Sequence, residues 1–112
     1  MNAAEEGGAA FGIEAGITVT AGGLVKALNS PVRRSALRFL LDTAPASLSD
    51  IQRGTPRFVG NSLGHHVKIL VDTGAVTQEK KQVGYQERLY SPTEAIRVPW
   101  FLAVLQLTAV ED

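Results

Sequence analysis

Leu63-Gly64-His65-His66-Val67-Lys68-Ile69-Leu70-Val71-Asp72-Thr73-Gly74-Ala75-Val76 is the stretch from which the rest of the chain can be read. Successive residues of an α-helix are turned by about 100°. Leu63, Val67, Leu70 and Val71 therefore fall on one side, and His65, Lys68 and Asp72 on the other, with Asn61 before them and Ser62 at the edge. The spacing predicts a helix over 61–73, closed at Gly74 by a residue suited to a left-handed C-cap. One face has a core to meet. The other carries groups that read base edges or hold phosphates: Asn61 can pair with adenine, Ser62 and His65 can donate to purine acceptors, and Lys68 can reach a guanine or a phosphate. A merely solvated helix face looks much the same, so the flanking elements carry more weight.

Upstream, Ser47-Leu48-Ser49-Asp50-Ile51-Gln52-Arg53 predicts a helix of about two turns, capped by one of its serines and stopped at Gly54-Thr55-Pro56. Gly60 marks a second break. A short helix, a break and a second helix is the order of a helix-turn-helix, whose second helix lies in the major groove. Downstream, 76–81 and 85–91 read as strands joined through Gln82-Val83-Gly84, a hairpin placed as a wing is. Lys80, Lys81 and Arg88 on that hairpin, and Arg57 in the break, are candidate DNA contacts. Lys80 and Lys81 are neighbours in a strand, so their side chains point to opposite faces. The same charges also serve an exposed hairpin that is simply kept soluble.

Further towards the N-terminus, Pro31 opens a helix over 31–42 with Ala36, Leu37, Leu40 and Leu41 at helical spacing, ended by Thr43-Ala44-Pro45. Ile17-Thr18-Val19-Thr20 is either a short strand or the approach to a helix capped by Thr20 and reaching Leu28. Residues 1–16 are rich in Ala and Gly, lack periodicity and read as a flexible arm. The expected fold class is mainly α with a β-hairpin wing, a winged helix-turn-helix over 17–112.

At this point the chain resembles the ArsR-type regulators. Asn29-Ser30-Pro31-Val32-Arg33, with Ala36, Leu37 and Leu40 after it, looks like that family's opening helix with its Pro-x-Arg signature. The stretch 63–76 is similar to the family's recognition helix, roughly Ser-His-His-Leu-Lys-x-Leu, and to the Gly turn into its wing. The resemblance covers residues 24–92 and implies a double-stranded DNA partner and a role as a dimeric transcriptional repressor. Three departures matter. Gly64 stands where the family usually has Ser, which loosens the helix by up to about 1 kcal/mol. Thr55-Pro56-Arg57-Phe58-Val59-Gly60 replaces a Ser-rich turn. The Cys pair of the metal-sensing members is missing, so the family's usual inducers do not carry over, and the identity of any small-molecule inducer stays open.

Composition narrows the classes. The 112 residues predict one domain with a modest core. Without cysteine there are no disulfides, thiolate metal sites or Cys nucleophiles. No Lys or Arg precedes Lys26, and Glu5 and Glu6 stand near the start, unlike a secretory signal. The longest apolar stretch, 98–110, contains Gln106 and Thr108 and is shorter than the ~20 residues a bilayer needs. A soluble, cytoplasmic protein without a membrane partner is expected. There is no glycine-rich phosphate loop between a strand and a helix, and no carboxylate pair with an evident role, so neither an enzyme nor a cofactor is expected. His65 and His66 diverge by about 100° and are poorly placed to share a metal. His65 points outward; His66, at the edge of the buried face, is expected to be a hydrogen-bonded packing residue.

The formal net charge is zero, yet residues 26–90 hold ten Lys and Arg against five Asp and Glu, and the flanks hold six acids against Arg97. Screening acts over about 8–10 Å, so a bound phosphate feels the local excess rather than the total. Chance clustering on a solvated surface is the competing account.

Pro99 opens a last helix over 99–110 in which Trp100, Phe101, Leu102, Val104, Leu105, Leu107 and Val110 cover most of the circumference. Such a helix is hidden either in its own core or against a second copy. The expectation is a homodimer with Leu24, Leu28, Trp100, Phe101, Leu102 and Leu105 at its interface, because twofold symmetry also offers two recognition helices to two half-sites. Sequence-specific DNA binding is the expected function. The alternative is a winged helix that binds protein without reading DNA, which the neutral total charge and Gly64 keep open.

Overall fold

Thr20, Ser30 and Ser47 each accept a hydrogen bond from the amide three residues further on, and each starts a helix. The computed structural model describes residues 10–112 except 15, 59, 61 and 84. Along the chain run β1 (Ala10–Glu14), β2 (Ile17–Thr20), α1 (Ala21–Leu28), α2 (Pro31–Thr43), α3 (Leu48–Gly54), a 3-10 turn (Pro56–Phe58), α4 (Leu63–Asp72), β3 (Val76–Val83), β4 (Tyr85–Pro92), a second 3-10 turn (Glu94–Ile96) and α5 (Pro99–Thr108). Pro31 and Pro99 sit in the first turns of their helices, where the missing N–H is no loss.

The apolar positions converge on one core. Leu24 and Ala27 of α1, Ala36, Leu37 and Leu40 of α2, Ile51 of α3 and Leu63, Val67 and Leu70 of α4 are buried together with Val19, Val76 and Ile96. Removing each large aliphatic side chain from water contributes about 1.5–3 kcal/mol. The hairpin runs in unbroken antiparallel register from Val76↔Pro92 to Val83↔Tyr85, and Ala46 adds a bridge to the outer edge of β4. Its base is locked to the exit of α4: the Thr93 hydroxyl donates to the Gly74 carbonyl at 2.6 Å. Gly74 has φ 80°, and a Cβ there would lie 2.5 Å from Cγ2 of Val19. The turn therefore needs glycine twice over, for its backbone and for its neighbour. Among the described residues no helix is long and apolar enough to cross a membrane.

Three expectations change. Residues 10–14 are not part of a flexible arm; they form β1 and pair with β2 through Ala10↔Thr20, Ile13↔Thr18 and Glu14↔Ile17. The register shifts between Ala10 and Ile13, so no regular alternation marks the strand in the sequence. Residues 1–9 of the expected arm lie outside the described residues. Next, Thr20 meets both of its readings, ending β2 and capping α1. Last, four of the six expected interface residues are consumed inside the single chain. Leu24 and Phe101 are 0% exposed, Leu105 3% and Leu28 8%, because one side of α5 is wedged into its own core. Trp100 and Leu102 remain at 40% and 37% exposure.

Candidate nucleic-acid interface

α3 is short and firmly started. Ser47 and Asp50 form a reciprocal capping box, and these hydrogen bonds hold the Asp50 carboxyl below its ordinary range. The 3-10 turn follows, pinned by buried Phe58, and Ser62 then enters α4 with φ 53° and no side-chain cap bond. Leu63, Val67 and Leu70 anchor α4, which leaves Gly64, His65, Lys68 and Asp72 exposed. Ser62 is exposed just ahead of them. Asn61, the remaining candidate of this stripe, lies outside the described residues. Lys68 Nζ donates to Asp72 Oδ2 at 3.1 Å, so the cation is shared with an acid on its own face.

The helix does not stand alone. Gly64, Lys68, Val71 and Asp72 face Gln78, Arg88 and Tyr90 across a groove of about 370 Å³. The wing register explains this grouping. Gln78 pairs with Tyr90 and Lys80 with Arg88, two pairs on one face of the hairpin. Lys80 thus stands directly opposite Arg88, two exposed cations side by side. Like charges placed opposite each other destabilise a strand pair. Lys81 stands opposite Glu87 in the next pair. Gln78 and Tyr90 were not singled out in the sequence, although the alternation of the strands placed them on the same face as Arg88.

Arg57 is drawn elsewhere. Its guanidinium lies over the Phe58 ring, 5.6 Å from the centroid, and donates to the main-chain oxygen of Asp112. It lines a different hollow, with α2 and the end of the chain. Three arginines of the basic middle segment are likewise engaged internally. Arg33 is buried and donates to the carbonyls of Lys26 and Asn29 and to Nδ1 of His66. Burial, then the neighbouring Arg34, lowers its pKa. Arg34 holds the Asp112 carboxylate through two bonds of 2.8 Å. Arg38 reaches the same carboxylate at 2.7 Å and the Leu105 carbonyl at 2.8 Å. Held by Arg34 first and Arg38 next, Asp112 has its pKa pulled down to about 2. The local excess of positive charge is therefore smaller at the surface than the sequence count, and what remains exposed around the groove is Lys68, Lys80 and Arg88.

His66 is the hydrogen-bonded packing residue expected from its place at the edge of the buried face, and His65 is exposed. Their rings meet edge to face at 5.9 Å. Burial lowers the His66 pKa, with Arg33 and His65 pushing the same way.

No family model and no curated protein matches the chain. Among solved structures, the chain is similar to a crystal structure described as an ArsR family transcriptional regulator. The match has a TM-score of 0.57 and 24% sequence identity, and covers 81% of this chain and 96% of the other. The shared architecture is the winged helix: the helix-turn-helix of α3 and α4 followed by the β3–β4 hairpin.

Proposed function

We propose that the protein binds double-stranded DNA sequence-specifically as a homodimeric transcriptional repressor, with α4 in the major groove and the β3–β4 hairpin over the flanking backbone. One observation carries this reading: Lys80 and Arg88 are direct cross-strand partners on the hairpin, beside the groove that Lys68 lines. A cation pair in that position is unfavourable for the free hairpin and favourable once a phosphate lies across it. His65 and Lys68 are offered for base edges, and Ser62 for a base or phosphate at the helix entry. The solved structure that shares the fold is named a transcriptional regulator, which agrees with this role.

The dimer in this proposal uses a smaller surface than the sequence implied. The exposed residues of α5 are Pro99, Trp100, Leu102, Ala103, Gln106 and Leu107, and Gln106 alone among them is polar. A second copy covering that face would bring two α4 helices into one twofold-symmetric pair.

The test is selection of bound sites from random duplexes, followed by titration of the selected site across salt concentrations. A specific site whose affinity falls steeply with salt is expected. Retention of no duplex, or an affinity indifferent to salt, overturns the proposal. It would favour the second reading, a winged helix that binds protein, for which the internal use of Arg33, Arg34 and Arg38 speaks.

A further inference from the structure

Gly54 and Gly74 are each forced by a neighbour. A Cβ at Gly54 would lie 2.1 Å from Cε1 of Phe39, and one at Gly74 2.5 Å from Cγ2 of Val19. Gly64 is different. It is the second residue of α4, with helical backbone, and a Cβ there would meet only Cδ2 of Leu48, at the ordinary contact distance of 3.6 Å. Neither a left-handed turn nor a close approach of α3 to α4 asks for glycine here. Yet glycine weakens a helix relative to alanine, because it loses more conformational freedom on folding. Among the described residues nothing within the chain is gained in return, and the position lies on the exposed face of the helix proposed to read DNA.

The space left open belongs to the groove beside α4. Gly64, Lys68 and Asp72 follow at intervals of four along the helix, so the groove runs along the side that begins at the bare position. Its lining holds two cations, Lys68 and Arg88, against one acid, Asp72. The Lys68–Asp72 pair is largely exposed, and Arg88 faces Lys80 rather than an acid across the hairpin.

From these features we infer that Gly64 is the point at which the sugar-phosphate backbone of one DNA strand rides against α4. The inference rests on the DNA reading above and names the part of the duplex that this groove takes. With α4 in the major groove and the hairpin on the outer side, the strand that walls the major groove has to pass between them. The groove is the space between them. Lys68 and Arg88 then meet the phosphates from the two sides. The deoxyribose has no charge to pair and lies on the bare main chain at Gly64, nearer than a side chain would let it come. A side chain at this position holds the strand off both cations.

The experiment compares Gly64→Ala, Gly64→Leu and Gly22→Ala with the wild type, by thermal unfolding and by fluorescence anisotropy on the selected duplex and on random duplexes across salt concentrations. Gly22 is the control. It too lies in the first turn of a helix, a Cβ there would come no nearer than 4.0 Å to Oγ1 of Thr20, and it does not line the groove. Both alanine variants should raise Tm by about 2–4 °C. Gly22→Ala should bind DNA as the wild type does. Gly64→Ala should bind selected and random duplexes alike about fivefold more weakly, and Gly64→Leu about a hundredfold, with a salt slope lower by about one to two contacts. A protein made more stable that binds worse is what a merely structural glycine cannot give. The inference is overturned if Gly64→Leu binds as tightly as the wild type, if Gly64→Ala lowers Tm, or if Gly22→Ala loses as much affinity. A loss confined to the selected site overturns it too, because a base rather than the backbone would then lie against Gly64. A wild type that retains no duplex removes the DNA reading and this inference together, whereas wild type and Gly64→Leu binding equally well removes this inference alone.

Discussion

Nη1 of Arg33 lies 3.0 Å from Nδ1 of His66 and ties the α1–α2 pair to the helix proposed to read DNA. Arg33 has only donors, so Nδ1 must accept and the imidazole must be neutral, with its proton on Nε2. Nε and Nη2 of Arg33 donate to the carbonyls of Lys26 and Asn29, so all three nitrogens of the guanidinium are held in place. A charged His66 would face a fixed cation.

That contact makes stability depend on pH near neutrality. The folded pKa of His66 lies below the unfolded value of 6.5, from burial first and then from Arg33 and His65. A depressed pKa means that the unfolded state binds the extra proton more readily. The contribution is therefore complete above pH 6.5 and is lost as the pH falls from there through the lower folded pKa. Thermal unfolding followed from about pH 7.5 to about pH 5.5 should show a falling Tm. His66→Gln keeps an acceptor and cannot titrate, so it should remove most of that slope. A His66→Gln protein with the wild-type slope would place the titrating group elsewhere.

Asp112 governs the acid limb. Its pKa is lowered to about 2 by Arg34 and Arg38, so its contribution is present above 3.8 and lost as the pH falls from there towards 2. The carboxylate is 4% exposed and accepts from both guanidiniums. Asp112→Asn should cost about 1–3 kcal/mol near neutral pH, measured by denaturant unfolding, and should flatten the loss of stability below about pH 4. An unchanged acid limb would show that these arginines are not what holds the end of α5.

Lys68 is shared with Asp72, and DNA would compete for it. The pair is largely exposed, so removing it changes stability by no more than about 0.5 kcal/mol. Asp72→Asn frees the lysine and takes an acid out of the groove, and should tighten duplex binding severalfold. Lys68→Ala should weaken it. Fluorescence anisotropy on the selected site measures both, and tighter binding by Lys68→Ala would remove α4 from the interface.

The wing makes a contrast of two adjacent lysines. Lys80→Ala relieves the repulsion with Arg88, so the free protein should keep its stability or gain a few tenths of a kcal/mol. The same change should weaken all duplexes alike and reduce the salt slope by about one contact. Lys81→Ala, opposite Glu87, should do less. If the two variants weaken binding equally, the register pair has no special part in it.

The two sides of α5 should separate assembly from folding. Leu105→Ala empties a buried position and should cost about 2–5 kcal/mol whatever the protein concentration. Leu102→Glu, on the exposed side, should leave the monomer folded and shift sedimentation from dimer to monomer. A wild type that sediments as a monomer at micromolar concentration would end the dimer proposal.

What could be read from the sequence is what is decided within a turn of helix or across a hairpin. The apolar spacing of Leu63, Val67 and Leu70, the cap at Ser47, Pro31 at a helix start and Gly74 at a helix end each act on neighbours a few residues away. They were enough to give the helix-turn-helix, the wing and the outward stripe of α4. The strand at 10–14 was not legible, because its partner is supplied by pairing and its register is irregular. Nor was the fate of the arginines: a side chain at position 34 or 38 can only meet Asp112 once α2 and α5 are packed, some 70 residues apart in the chain. The last helix makes the same point. An all-apolar helix announces that it must be covered, but whether by its own domain or by another copy depends on how much surface α1 and α2 have left to offer. Here Leu24, Leu28, Phe101 and Leu105 all enter one core, and on α5 Trp100, Leu102 and Leu107 stay exposed, because burial is settled by the packing of the whole chain and not by hydrophobicity along it.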